Sequence, residues 1–178
     1  MIRLDTRLER WIVHHRTDTL DDFFVALSHL GVNGLIFLVI AALAVLVWKR
    51  PAIFMYVLAA DVVSDALSYG LRYAIGRDRP PTRFAEPGPL VHVPGNPSLP
   101  SGHAATSFAC AAVLAWVTPL PRVPLFVLAT LIAFSRVYVG VHYPLDMLGG
   151  AALGLIVATA LRPLATALRR SDQEPPAG

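Results

Sequence analysis

Apolar residues in this chain collect into five runs separated by short polar breaks. The runs cover roughly 30–48 ("LGVNGLIFLVIAALAVLVW"), 52–75, 102–118, 123–139 and 145–164. Each approaches the ~20 apolar residues that a bilayer-spanning helix needs. "KR" at 49–50 and "PLPR" at 119–122 read as tight turns. Ahead of the first run the pattern changes. Leu4, Leu8, Trp11 and Ile12 recur at helical spacing, with Arg3, Arg7 and Arg10 on other faces. That predicts an amphipathic helix lying in the membrane interface. "TDTLDD" then supplies helix-capping residues, and Phe23, Phe24, Leu27 and Leu30 start a second amphipathic piece. The expectation is an all-α integral membrane bundle of about five transmembrane helices plus an N-terminal amphipathic helix. It forms one domain over 1–170, followed by a disordered tail at 171–178.

Composition supports a membrane setting. Hydrophobic residues make up 55% of the 178 and charged residues 15%, with a mean hydropathy of +0.57. Soluble domains carry about 25% charged residues. A chain this small cannot hide so much apolar surface from water, so membrane lipid is the expected partner. The net charge of +3 is small and its basic residues are scattered, which argues against nucleic acid. The single cysteine, Cys110, excludes an intrachain disulfide. "MIRLDTRLER" has no apolar core of the secretory kind, so the first span is expected to act as an uncleaved anchor.

Residues 76–100 break the pattern. They hold seven of the fifteen prolines and no periodicity, and charged residues gather at both ends. Long irregular segments of this kind are usually functional. Gly150 and Gly154 form a small-xxx-small pair that predicts close helix packing within the bundle.

Three clusters carry candidate chemistry. "RYAIGRDRP" contains Arg72 and Arg79. "PSGH" spans Pro100 to His103. "SRVYVGVHYPLD" contains Arg136, His142 and Asp146. The first two flank the loop between spans two and three, and the third lies between spans four and five. Both loops therefore emerge on one membrane face. Three guanidiniums without matching acids suit an anion rich in oxygens, and phosphate fits their fork geometry. Ser101, Gly102 and His103 stand where a helix begins, so free backbone N–H groups join the anion site. Two histidines permit nucleophilic and acid–base chemistry. Asp146, four residues after His142, is placed to accept a hydrogen bond from one ring nitrogen and leave the other unprotonated.

These residues resemble the type 2 phosphatidic acid phosphatase family, the membrane lipid phosphatases related to vanadium haloperoxidases. The family pattern is Lys-x6-Arg-Pro, then Pro-Ser-Gly-His, then Ser-Arg-x5-His-x3-Asp. The second element is complete at Pro100–His103, and the third at Ser135, Arg136, His142 and Asp146. The first keeps Arg79 and Pro80, but Arg72 stands where the family usually has lysine. The resemblance implies that His142 attacks phosphorus to form a phosphohistidine and that Asp146 orients it. It implies that His103 protonates the leaving oxygen and then activates water. Arg72, Arg79, Ser101, Gly102 and Arg136 would hold the phosphoryl oxygens. No metal and no cofactor is expected.

The substrate expectation is a lipid phosphate, undecaprenyl diphosphate first, with phosphatidate and phosphatidylglycerol phosphate as alternatives. A phosphotransferase on the same scaffold shares the first half-reaction. A non-catalytic binder or transporter gives no reason for the His142–Asp146 spacing. Lys49, Arg50, Arg122, Arg162, Arg169 and Arg170 fall opposite the site, so that face is expected to be cytoplasmic and the site extracytoplasmic. Arg77, Asp78 and Arg83 read as solvated loop charges or local ion pairs. Asp61 and Asp65, costly inside a bilayer, either bond other helices or, for Asp65, brace Arg72. His14, His15, His29 and His92 read as surface or packing residues. The oligomeric state stays open.

Overall fold

The computed structural model describes residues 2–171, with side chains over 3–163. Eight helices follow one another: α1 (Ile2–His14), α2 (Asp18–Leu30), α3 (Leu35–Trp48), α4 (Ala52–Ile75), the short α5 (Pro80–Arg83), α6 (Gly102–Val117), α7 (Arg122–Tyr138) and α8 (Pro144–Ser171). No strand occurs among the described residues. The all-helical expectation therefore holds. Apart from Ser171, the segment expected to be a disordered tail lies outside the described residues.

Among the described residues, α4 and α8 are long and apolar enough by length and composition to cross a bilayer, and the bent pair of α2 with the helix that follows makes a third candidate. The expected span of roughly 30–48 starts with a break, where α2 and the helix that follows meet at 63°. Consecutive left-handed residues make the break, Asn33 at φ 47° and Gly34 at φ 59°. Asparagine and glycine are the residues that tolerate this region. An Asn-Gly pair is also a turn signal, here embedded in an apolar run.

Helix α6 has only 16 residues, about 24 Å at 1.5 Å per residue. It need not match the bilayer, because it is the buried centre of the bundle. Nearly every one of its side chains is buried, and it packs chiefly against α8, α4 and α7. Small residues permit this. Ala104, Ala105, Ala109, Ala111 and Ala112 line α6, and Gly150 and Gly154 of α8 meet its backbone. A Cβ on Gly154 would lie 2.9 Å from the Ala109 amide nitrogen, and one on Gly150 would lie 2.8 Å from Ala104 Cβ. The small-residue pair works within the bundle, as expected. By contrast, Leu43, Leu46, Val47, Val62, Val123 and Ile156 are exposed on the outer helices, where lipid is their natural neighbour.

Helix α1 is amphipathic, with an unusual inner face. Leu4, Leu8 and Trp11 point outward, while Asp5, Glu9 and Val13 are buried against the body. The segment from Gly76 to Pro100 returns to the ends of α4, α6, α7 and α8, and this brings the three motif clusters together.

Candidate active site

Each motif side chain is placed by a helix end. Arg72 stands in the last turn of α4, which stops at Gly76 in a left-handed cap (φ 67°) with its amide bonded to the Arg72 carbonyl at 2.8 Å. Arg79 immediately precedes Pro80, the first residue of α5. Ser101 is the N-cap residue of α6, with Gly102 and His103 in its first turn. Arg136 lies in the last turn of α7. Its carbonyl receives the amides of both Val141 and His142 at 3.2 Å, which fixes the connection to α8.

These ends surround a cavity of about 150 Å³. Arg72, Arg79, Gly102, His103, Arg136 and His142 line it, together with Asn33, Asp65, Pro94, Asn96 and Thr106. Ser101 and Asp146 sit behind this wall, both fully buried. The Ser101 amide donates to the Asp146 carbonyl at 2.9 Å, tying α6 to α8. Gly102 is needed for close approach: a Cβ there would sit 2.6 Å from Arg72 Nη2.

Arg79 is the most constrained cation. Its Nε donates to the Asn96 carbonyl at 2.8 Å, and its Nη2 to Asn96 Oδ1 at 2.7 Å. Its Nη1 donates to the Val141 carbonyl at 2.9 Å and to His142 Nε2 at 3.0 Å. A guanidinium has no lone pair to offer. His142 Nε2 therefore carries its own lone pair, and the ring proton sits on Nδ1, 3.4 Å from Asp146 Oδ2. Burial pushes the His142 imidazole down to about 4, with Arg79 and Arg136 acting the same way and Asp146 opposing them. The ring is neutral at pH 7, and its Nε2 lone pair accepts from Arg79 at the cavity wall. Burial likewise lowers Arg79 to about 10, and Arg72 adds to the effect.

Arg72 donates to the Ser68 carbonyl and to Ser68 Oγ, at 3.2 and 2.9 Å, and to Asn96 Oδ1 at 3.3 Å. Asp65 is more distant at 3.9 Å and half exposed, so serine and asparagine, more than the acid, set this arginine. Asp61 is buried, with Oδ1 unpartnered. Arg136 donates to Ser28 Oγ of α2, and its Nε is buried without a partner. His103 Nε2 is likewise buried and unpartnered at the cavity wall. Among the described residues no cluster of His, Cys, Asp or Glu is placed to hold a metal ion.

Two residues here escaped the sequence reading. Asn96 joins Arg72 to Arg79, yet nothing in its proline-rich surroundings marks it. Arg77 is neither the solvated loop charge nor the local ion pair expected: its Nη1 donates to Asp146 Oδ1 at 2.6 Å and its Nη2 to Asp5 Oδ2 at 2.5 Å, both distant in sequence. Only Arg83 and Asp78 form the expected exposed local pair, at 3.3 Å.

Residues 50–170, which contain all of these motif side chains, match the model of the PAP2 superfamily. The chain belongs to the PAP2 superfamily. It is 30% identical over 159 residues to an undecaprenyl-diphosphatase of Sulfolobus acidocaldarius, covering 86% of this chain and 74% of that one. It is 34% identical over 134 residues to the decaprenylphosphoryl-5-phosphoribose phosphatase of Mycobacterium tuberculosis, covering 74% and 72%. It spans 62% of the length of an Escherichia coli relative to which it is 36% identical. Among solved structures, the transmembrane PAP2-type phosphatidylglycerolphosphate phosphatase of Bacillus subtilis superposes with a TM-score of 0.76 at 26% identity, over 93% of this chain and 86% of that one. These PAP2 relatives are named for phosphatase action on lipid phosphates, the enzyme class expected from the motifs. The membrane setting agrees with the transmembrane Bacillus subtilis neighbour and with the exposed apolar helices.

Proposed function

We propose that this PAP2 chain hydrolyses a lipid phosphate at the membrane surface through a phosphohistidine on His142. The observation that supports this most directly is the state of His142: a buried neutral ring in the wall of a cavity lined by Arg72, Arg79 and Arg136, with an Nε2 lone pair that accepts from Arg79. In the first step Arg79 Nη1 turns from Nε2 to a phosphoryl oxygen, Nε2 attacks phosphorus, the N–P bond forms and the P–O bond to the lipid breaks. His103, whose Nε2 has no other partner, gives a proton to the leaving oxygen. In the second step His103 takes a proton from water, the hydroxide attacks phosphorus, the N–P bond breaks, and inorganic phosphate and free His142 result. The three guanidiniums and the N-terminal amides of α6 stabilise charge on the phosphoryl oxygens in both transition states. Asp146 holds the Nδ1 proton in place throughout.

Undecaprenyl diphosphate is the first substrate of this proposal, with undecaprenyl phosphate as the leaving group. A relative bears that activity in its name, and a small cationic cavity suits a terminal phosphoryl group. The site is assigned to the extracytoplasmic face, because Lys49, Arg50, Arg122 and Arg162 collect at the opposite end of the bundle.

The test is phosphate release in detergent with chelator present, comparing wild type with His142→Ala. Undecaprenyl diphosphate, phosphatidate and phosphatidylglycerol phosphate compete as substrates. Release that disappears in the variant supports the proposal, and the order of rates identifies the lipid. Undiminished release by a folded His142→Ala chain overturns it.

A further inference from the structure

Arg77 has no place in the cavity wall, yet it is among the most firmly held side chains near it. Asp146 offers two oxygens, and Arg77 takes Oδ1 at 2.6 Å. Oδ2 receives the Tyr143 amide at 2.9 Å and faces His142 Nδ1 at 3.4 Å. The His142 contact is the longest of the three, so the angle that Oδ2 presents to the imidazole follows from the anchors. The second arm of Arg77 reaches Asp5 Oδ2 of α1, 72 residues away in sequence. Asp5 Oδ1 receives the Leu145 amide at 2.8 Å, beside Asp146 in the first turn of α8. The guanidinium carbon stands 4.1 Å from the centre of the Tyr143 ring. Both carboxylates are buried, and Arg77 is 15% exposed. Two buried acids thus share one planar, two-armed cation, an arrangement that a single-point ammonium does not reproduce.

We propose that Arg77 and Asp5 are positioning residues for the reaction: the Asp5–Arg77–Asp146 bridge sets the carboxylate that aligns His142, making helix α1 a working part of the active site. This rests on His142 being the nucleophile. Arg77 acts through Asp146 and does not touch substrate. His142 itself faces Asp146 of α8, Arg79 of the segment after α4, Arg136 of α7 and His103 of α6. Those four remain in place when Arg77 or Asp5 is changed.

The experiment compares Arg77→Gln, Arg77→Lys and Asp5→Asn in the full chain in detergent, with His142→Ala as the control. Phosphate release is measured as kcat and KM across pH, and the His142 ring is titrated by NMR. A misaligned nucleophile costs up to about 10²-fold. Arg77→Gln is therefore expected to lower kcat by about 10- to 100-fold with KM within about threefold of wild type, and Arg77→Lys to recover part of the loss. Removing the Arg77 charge favours the imidazolium, so the acid limb of kcat/KM moves to higher pH. Removing the Asp5 charge moves it to lower pH. Opposite shifts are a signature that loss of packing does not produce.

Should Arg77→Gln fail to fold, Arg77→Lys and Asp5→Asn carry the same comparison. The NMR titration reads the bridge even in a chain that releases no phosphate, which separates failure of this inference from failure of the proposed reaction. A folded Arg77→Gln chain with kcat within about twofold of wild type overturns the inference, as does a rise in KM alone. Shifts of the His142 titration in the same direction for Arg77→Gln and Asp5→Asn also overturn it.

Discussion

Glu9 on α1 gives the sharpest stability prediction. Its side chain is fully buried against the body of the protein, and neither carboxylate oxygen has a hydrogen-bond partner. The nearest cation, Arg10, is 3.8 Å away. Burial raises this carboxyl from 4.5 to about 7, with Arg10 and Arg16 opposing and Asp5 adding to the rise. An acid whose folded value lies above its unfolded value binds more protons when folded. Stability is then full below pH 4.5 and declines as pH rises through about 7. At about 1.36 kcal/mol per pH unit, the interval is worth about 3 kcal/mol. Glu9→Gln keeps the shape and removes the ionisation. The variant should match wild type at pH 4.5 and exceed it by up to about 3 kcal/mol at pH 8. Unfolding followed by circular dichroism in one detergent, at half-unit steps from pH 4.5 to 8.5, reads the difference directly. Parallel curves for the two chains over the whole range would refute the reasoning. They would mean that Glu9 folds ionised with partners, or meets water.

Other outcomes follow from the packing and the site. Gly154→Ala places a Cβ 2.9 Å from the Ala109 amide of the central helix, so thermal unfolding should show a loss of about 1–3 kcal/mol. Asn96→Ala removes the shared acceptor of Arg72 and Arg79. Hydrogen bonds to charged groups are worth about 1.5–3 kcal/mol, so kcat/KM for phosphate release should fall by about tenfold or more. Arg72→Lys restores the residue usual in the family but gives up the fork on Ser68 and Asn96. It should bind vanadate about three- to tenfold more weakly in competition assays, and unchanged inhibition would show that charge alone matters there. Vanadate should inhibit the wild type competitively with substrate, and a noncompetitive pattern would place its site outside the cavity.

How much of this was legible in the chain varied with the range of the interaction. The runs that became α4, α6, α7 and α8 were readable because burial acts on local periodicity, and their ends fell within a few residues of those expected, except that α8 continues past 164 to Ser171. The break at Asn33–Gly34 was hidden because its neighbours are apolar, although the dipeptide itself is a turn signal. The motif side chains were readable because their spacing is local: His142 and Asp146 are one helical turn apart, and Ser101 to His103 open a helix. Arg77 lay in plain view and was misread, because its partners lie 69 and 72 residues away. Ser28, which receives Arg136 across 108 residues, and Asn96, with no charge or motif to mark it, belong to the same class.

Sequence alone thus determined the helical class, the membrane setting and the candidate site residues. Those follow from composition, periodicity and short-range spacing, which are properties of neighbouring positions. Tertiary structure decided the rest: which ring nitrogen of His142 holds the lone pair, which oxygen of Asp146 is anchored, and that the acidic face of α1 turns inward. These depend on where a guanidinium or amide from a distant segment comes to rest. Packing of α6 against α4, α7 and α8 sets that placement, and no local pattern encodes it.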